Sequence, residues 1–193
     1  MARRAPGDMT GTFVAVVGSS GAGKDSVMAY ARERMAGDVV IVRRVVTREA
    51  DGGSEDHDTM TVDQFAAAET EGRFALSWPA HGLRYGLPVE LEDDLHEGRV
   101  VIANLSRAVI PQLVTRYPSA VVVEVTADPQ VIATRLAGRG REGAEEIQRR
   151  MDRSVGVRLP ASTVRIDNSG QLDVAGEQFV SLLKDLLRLP AGD

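Results

Sequence analysis

Runs of aliphatic and β-branched residues recur along the chain at 12–17, 39–46, 74–78, 99–104, 120–125 and 163–167, each bounded by polar or glycine-containing segments. Most of these runs are continuous rather than alternating, the pattern of strands buried on both faces. Between them the apolar positions fall at helical spacing. Thr61 is placed to cap a helix that ends at Gly72, Pro88 stands where a first helical turn tolerates it with Gly98 at the far end, and Asp128-Pro129 opens another helix. The last helix, 173–187, sets Ala175, Phe179, Leu182, Leu183 and Leu186 on one stripe that must pack on something. Alternation of this kind predicts an α/β fold with a mainly parallel sheet flanked by helices.

Two segments, 49–58 and 138–143, lack periodicity and read as surface loops. No repeat, low-complexity tract or proline-rich linker divides the chain. We therefore expect a single domain over 12–193 behind a flexible tail at 1–11, with a small substrate lobe inserted at about 47–86.

Composition narrows the function. The 193 residues are 43% hydrophobic and 26% charged with a net charge of −5, which excludes wholesale disorder and any global positive field for nucleic acid or an anionic membrane. An anionic ligand must be met locally. No cysteine is present, so disulfides, thiolate nucleophiles and cysteine metal sites are excluded together, as befits a reducing compartment such as the cytoplasm. Arg3 and Arg4 are followed by no apolar run of signal-peptide length, and no run approaches a membrane span.

The local anion site is legible in Gly18-Ser19-Ser20-Gly21-Ala22-Gly23-Lys24-Asp25-Ser26, a GxxxxGK loop between a predicted strand and a predicted helix. Glycines let backbone amides turn inward onto phosphate oxygens, and the helix N-terminus adds partial positive charge. Lys24 and Lys184 are the only lysines among 23 basic residues, so a lysine here is no by-product of composition. The loop predicts ATP binding, with Lys24 on the β and γ phosphates. Asp25 stands where Ser or Thr usually ligates Mg²⁺, with Ser26 behind it; Asp25 as a Mg²⁺ ligand and Asp25 as a favourable first-turn acid both remain open.

Beyond this loop the chain resembles the guanylate kinase-like family of P-loop kinases along most of its length. The marks are Thr47-Arg48, Trp78 followed by His81-Gly82-Leu83-Arg84-Tyr85-Gly86, the run beginning at Pro118, Arg135-Leu136-Ala137-Gly138-Arg139, and Asn168-Ser169-Gly170. The GKDS of the loop and the Trp78 to Gly86 segment are most similar to the branch that phosphorylates ribose 1,5-bisphosphate. This resemblance implies a lid at about 135–150 carrying catalytic Arg135, Arg139 and Arg150 beside Lys24. It also implies an adenine contact at Asn168 and Ser169, and acceptor binding by Arg48, Glu55, Ser77, His81, Tyr85 and Asn104. Where guanylate kinases read guanine with carboxylates, Ser77 and Asn104 stand here, and Leu87 replaces a hydroxyl residue. An acceptor that carries phosphate but no base fits that pattern.

The expected partners are therefore ATP with Mg²⁺ and a small phosphorylated sugar, without nucleic acid or membrane, and a homodimer is compatible with the chain. A nucleoside monophosphate kinase acting on GMP is the enzymatic alternative. A non-catalytic phospho-ligand module is the other; such modules usually lose the phosphate loop, which this chain keeps.

Overall fold

The computed structural model describes residues 9–47, 57–80, 82–138 and 157–188. Its centre is a five-stranded parallel sheet in the order β2-β7-β1-β8-β9, formed by β1 (Thr12–Val17), β2 (Val39–Ile41), β7 (Val100–Asn104), β8 (Val121–Thr126) and β9 (Val164–Asp167). Phe13 to Val17 and all of β7 are buried, which is why these runs carry no polar alternation.

Helices cover the sheet on both faces. On one side α1 (Lys24–Arg34) and α6 (Leu172–Arg188) pack on Val14, Val16, Ile102, Val123 and Val125, with Ala175, Phe179 and Leu183 of the predicted stripe buried and Leu182 and Leu186 at its margin. On the other side Phe13, Ala15, Val17, Val101 and Ala103 meet α3 (Leu91–His96) and α4 (Ile110–Arg116), the latter preceded by a 3₁₀ turn at Arg107–Val109. The remaining helix of the main layer, α5 (Pro129–Gly138), opens as predicted, Asp128 Oδ1 accepting from the Gln130 amide at 2.7 Å.

A second, four-stranded sheet in the order β4-β3-β6-β5 forms the lobe, from β3 (Arg44–Val46), β4 (His57–Thr59), β5 (Phe74–Ala80) and β6 (Leu83–Pro88). Beside it runs α2 (Val62–Thr70), where Thr61 makes the anticipated cap in full. The Gln64 amide donates to Thr61 Oγ1 at 3.2 Å and the Thr61 amide to Gln64 Oε1 at 3.0 Å.

Two local expectations need correction, and one strand is added to those expected. The run 39–46 is two strands in two sheets: Val42 still donates to Ile102 O at 2.9 Å, and the chain then leaves the central sheet at Arg43. Two adjacent cations, Arg43 and Arg44, end the apolar run there, and Arg43 pairs with Asp58 at 3.1 Å on the lobe. Pro88 does not open a helix but ends β6, opposite Phe74, and α3 starts at Leu91. The segment 83–88, with a glycine inside it, forms a strand because Gly86 lets the Phe74 ring lie against the backbone; a Cβ there would sit 2.6 Å from the ring.

Candidate active site

The phosphate loop leaves the carboxyl end of β1 and runs into α1 with Gly23 as the cap, at φ +90°. That conformation, and a gap too small for a side chain, both require glycine: a Cβ on Gly23 would lie 2.3 Å from Asn168 Nδ2. Asn168 is 2% exposed and donates to Ala22 O at 2.8 Å, while Arg135 donates to Ala22 O at 3.5 Å and to Asn168 O at 2.9 Å. Two side chains from the far end of the sequence thus brace the loop from behind. Lys24 Nζ lies across the loop, donating to Gly18 O at 3.0 Å and Ser19 O at 3.2 Å.

Three residues expected to touch ATP bond to the protein itself here. Asn168 is turned to the loop carbonyl rather than outward to a base. Ser169 ties β9 to α5, its hydroxyl donating to Asp167 Oδ1 at 2.5 Å and accepting from the Asp128 amide at 2.8 Å. Arg135, expected on a lid, reaches the same brace.

Asp25 and Ser26 are exposed on the first turn of α1. Asn104, the last residue of β7 and 7% exposed, donates to Asp25 Oδ1 at 2.6 Å. Asn104 is therefore tied to the first turn of the phosphate-loop helix. Among the described residues no group of three or more His, Cys, Asp and Glu comes together. A hard cation that keeps most of its waters and takes its other ligands from phosphates needs only one or two protein oxygens. An exposed, oriented Asp25 carboxylate beside the Ser26 hydroxyl fits that donor set.

The lobe presents a second wall. Trp78 and Tyr85 face each other in register on β5 and β6, stacked at 5.6 Å with an interplanar angle of 11°, and the Arg44 guanidinium lies 5.7 Å from the Tyr85 ring. The wall is pinned to the end of β3: the Thr47 amide donates to Arg84 O at 3.0 Å, and the Arg84 amide to Thr47 Oγ1 at 2.8 Å. Thr47 and Tyr85 are so brought to one place; Arg48 lies outside the described residues, as do Glu55, His81, Arg139 and Arg150.

Ser77 belongs elsewhere. Alternate residues of a strand point to opposite faces, and Ser77 is on the α2 side of the hairpin, away from Tyr85. Its hydroxyl donates to Glu69 Oε1 at 2.6 Å, where Arg84 also donates at 2.8 Å and, to Oε2, at 2.6 Å. Leu87 is fully buried in the core. Sequence reasoning missed Glu69, Arg84 and Arg44. Arg84 lay inside the HGLRYG segment, but nothing in the order of residues pairs it with a glutamate on another helix.

The chain matches no family model. It is 51% identical over 179 residues to the ribose 1,5-bisphosphate phosphokinase PhnN of Chelativorans sp. (strain BNC1), covering 90% of this chain and 85% of that one. It is 49% identical to the protein of the same name from Brucella melitensis biotype 2, covering 91% and 93%, and 47% identical to that of Burkholderia pseudomallei, covering 91% and 97%. In fold it is similar to the guanylate kinase of Anaplasma phagocytophilum, with a TM-score of 0.65 at 15% identity over 94% of this chain and 88% of that one. A gluconokinase from Sinorhizobium meliloti superposes with a TM-score of 0.53 at 18% identity, covering 96% and 95%.

Proposed function

The chain belongs to the ribose 1,5-bisphosphate phosphokinase family, and from that premise we propose that it transfers the γ-phosphoryl group of ATP to the 1-phosphate of ribose 1,5-bisphosphate, giving 5-phosphoribosyl 1-diphosphate and ADP. One observation supports this acceptor above a nucleotide. At the two positions where a guanylate kinase offers guanine a carboxylate, Ser77 is turned to Glu69 and Asn104 to Asp25. A site built on hydrogen bonds to a base loses most of its discrimination when those partners go.

The reaction forms a bond between an oxygen of the 1-phosphate and Pγ, and breaks the bond from Pγ to the β-phosphate oxygen. The attacking oxygen is already ionised near neutral pH, so no general base is needed. What remains is positioning and charge neutralisation. The loop amides at Gly18 to Gly23 hold the phosphates. Lys24 exchanges its contacts with Gly18 O and Ser19 O for β and γ oxygens, and Arg135 and Asn168 keep the loop from moving as it does so. Asp25, held by Asn104, and Ser26 would hold Mg²⁺, which neutralises charge on the phosphates when bound. Arg48 and Tyr85 grip the acceptor's phosphate, with Glu55 and His81 as further contacts to it. Arg139 and Arg150 stabilise the transferring group and, with their segment, exclude water.

Among the described residues no helix is long and apolar enough to cross a membrane. The proposed reaction consumes ATP, which supports a cytoplasmic enzyme. The test is ADP formation from Mg-ATP with ribose 1,5-bisphosphate and GMP offered separately, the product identified by mass. Turnover of the sugar bisphosphate alone is expected; turnover of GMP alone overturns the reading.

A further inference from the structure

Beside the phosphate loop lies a charged cleft that the transfer chemistry above does not use. It encloses about 490 Å³ and is lined by Arg107, Glu124, Arg158, Leu159, Thr163 and Arg165, among others. Three guanidinium groups stand there against one carboxylate, in a protein whose net charge is −5. Glu124 accepts from Arg107 at 2.8 Å and, on its other oxygen, from Arg165 at 3.1 Å. The Arg107 and Glu124 side chains are only 16% and 12% exposed, whereas Arg165 is 77% exposed. A buried ion pair of this kind contributes little to stability compared with apolar residues of the same size, and Val122, Val123 and Val125 around it on β8 are all apolar. The carboxylate holds Arg107 in one orientation through one nitrogen, and a guanidinium has five N–H donors to offer.

The position of the cleft says what it faces. Glu124 is the register partner of Val17, the last residue before the phosphate loop, and of Arg165. Arg107 lies three residues beyond Asn104, at the carboxyl end of β7. The cleft is therefore at the carboxyl edge of the parallel sheet, where ligands of such folds bind. It is also on the lobe's side of that sheet: Val122 shares its face with Glu124 and packs in one cluster with Leu76, Trp78 and Leu87, and Leu159 of the cleft packs against that cluster together with Tyr85.

We infer that this cleft is the binding site for the second phosphate of the acceptor, a sugar phosphomonoester dianion, with Arg107 oriented by Glu124 as its main donor and Arg158 and Arg165 as its outer ones. The inference rests on the acceptor being a bisphosphate: one phosphate must lie at the Lys24 and Tyr85 end to react, and the other, across the ribose ring, needs a separate cationic site. Arg suits this role because its planar fork meets two phosphate oxygens at once.

The test uses ribose 5-phosphate, which has the distal phosphate but no reacting one. Calorimetric titration into the wild-type chain should show binding that ribose lacks. The affinity should fall at least about tenfold in Arg107→Gln and in Arg158→Ala with ATP binding unchanged. Arg158→Ala alters an exposed side chain, so it carries the test even where Arg107→Gln fails to fold. Absence of binding to the wild type, or equal affinity in the folded variants, overturns the site. Turnover of ribose 1,5-bisphosphate is scored separately. Arginine-dependent binding without turnover keeps this site and removes the proposed reaction; turnover with unaltered KM in both variants does the reverse.

Discussion

Asn104 Nδ2 donates to Asp25 Oδ1 across 2.6 Å, joining the end of a core strand to the first turn of the phosphate-loop helix. Neither residue is near the other in sequence, and the contact leaves Asp25 exposed but fixed in direction. A carboxylate held this way presents its remaining lone pairs to one place, which is what a metal with mostly water and phosphate ligands needs.

Removal of that amide should therefore be felt through Mg²⁺. Asn104→Ala is expected to raise the Mg²⁺ concentration at half-maximal rate by roughly tenfold, and Asp25→Asn by more, with KM for the acceptor little changed. Initial rates across a Mg²⁺ series at saturating ATP decide it. An unshifted curve in both variants would make Asp25 a helix-start acid and no more.

Lys24→Ala should abolish transfer, lowering turnover by at least about a hundredfold, while the fold persists. Its ammonium donates to carbonyls at the rim of the loop, at 3.0 and 3.2 Å, outside the hydrophobic core, so a melting temperature within a few degrees of wild type is expected. Retained activity in the purified variant would sink the assignment.

Gly23 and Asn168 should behave as one unit. In Gly23→Ala the new methyl meets Asn168 Nδ2 at 2.3 Å, at a backbone φ of +90°, and both effects point to a loss of about 1–3 kcal/mol. Asn168→Ala leaves the Ala22 carbonyl only its longer bond from Arg135, at 3.5 Å, and is expected to cost about 1–3 kcal/mol. Combined, the two losses should fall short of their sum, because the alanine at 168 removes the clash. Urea unfolding of the three variants measures the coupling, and strict additivity would show the contact to be incidental.

Tyr117 gives the fold an alkaline limit. Burial first, and then the hydrogen bond from its hydroxyl to Glu92 Oε1 at 2.8 Å, push its ionisation far above the usual tyrosine range. Above about pH 10 the unfolded chain releases this proton and the native chain keeps it, so the native state binds more protons and stability falls as pH rises. The contribution is complete below the unfolded value and is lost through the interval up to the folded one. Wild-type protein should thus lose stability from pH 9 to 11 more steeply than Tyr117→Phe. At neutral pH the same variant should be weaker by about 1 kcal/mol, since Glu92 keeps Arg116 at 2.5 Å. Parallel curves in the two proteins would contradict the assignment.

The chain's own order of residues determined whatever depends on neighbours a few positions apart. The continuous apolar runs of β1 and β7, the Thr61 cap, the Asp128-Pro129 start and the GxxxxGK loop are local matters of burial, hydrogen bonding and backbone freedom, and each is legible without a neighbour in space. The break at Arg43-Arg44 was there to be read as well, since two charges interrupt an apolar run.

Tertiary structure decided the pairings. Asn104 with Asp25, Asn168 with Ala22, Ser77 and Arg84 with Glu69, and Arg107 and Arg165 with Glu124 all join segments that meet only once the sheets have formed. An asparagine at the end of a strand looks the same in the sequence whether it faces a ligand or a carboxylate on a neighbouring helix. Strand order and face settle which polar group it reaches, and the requirement that a buried donor find an acceptor then holds it there.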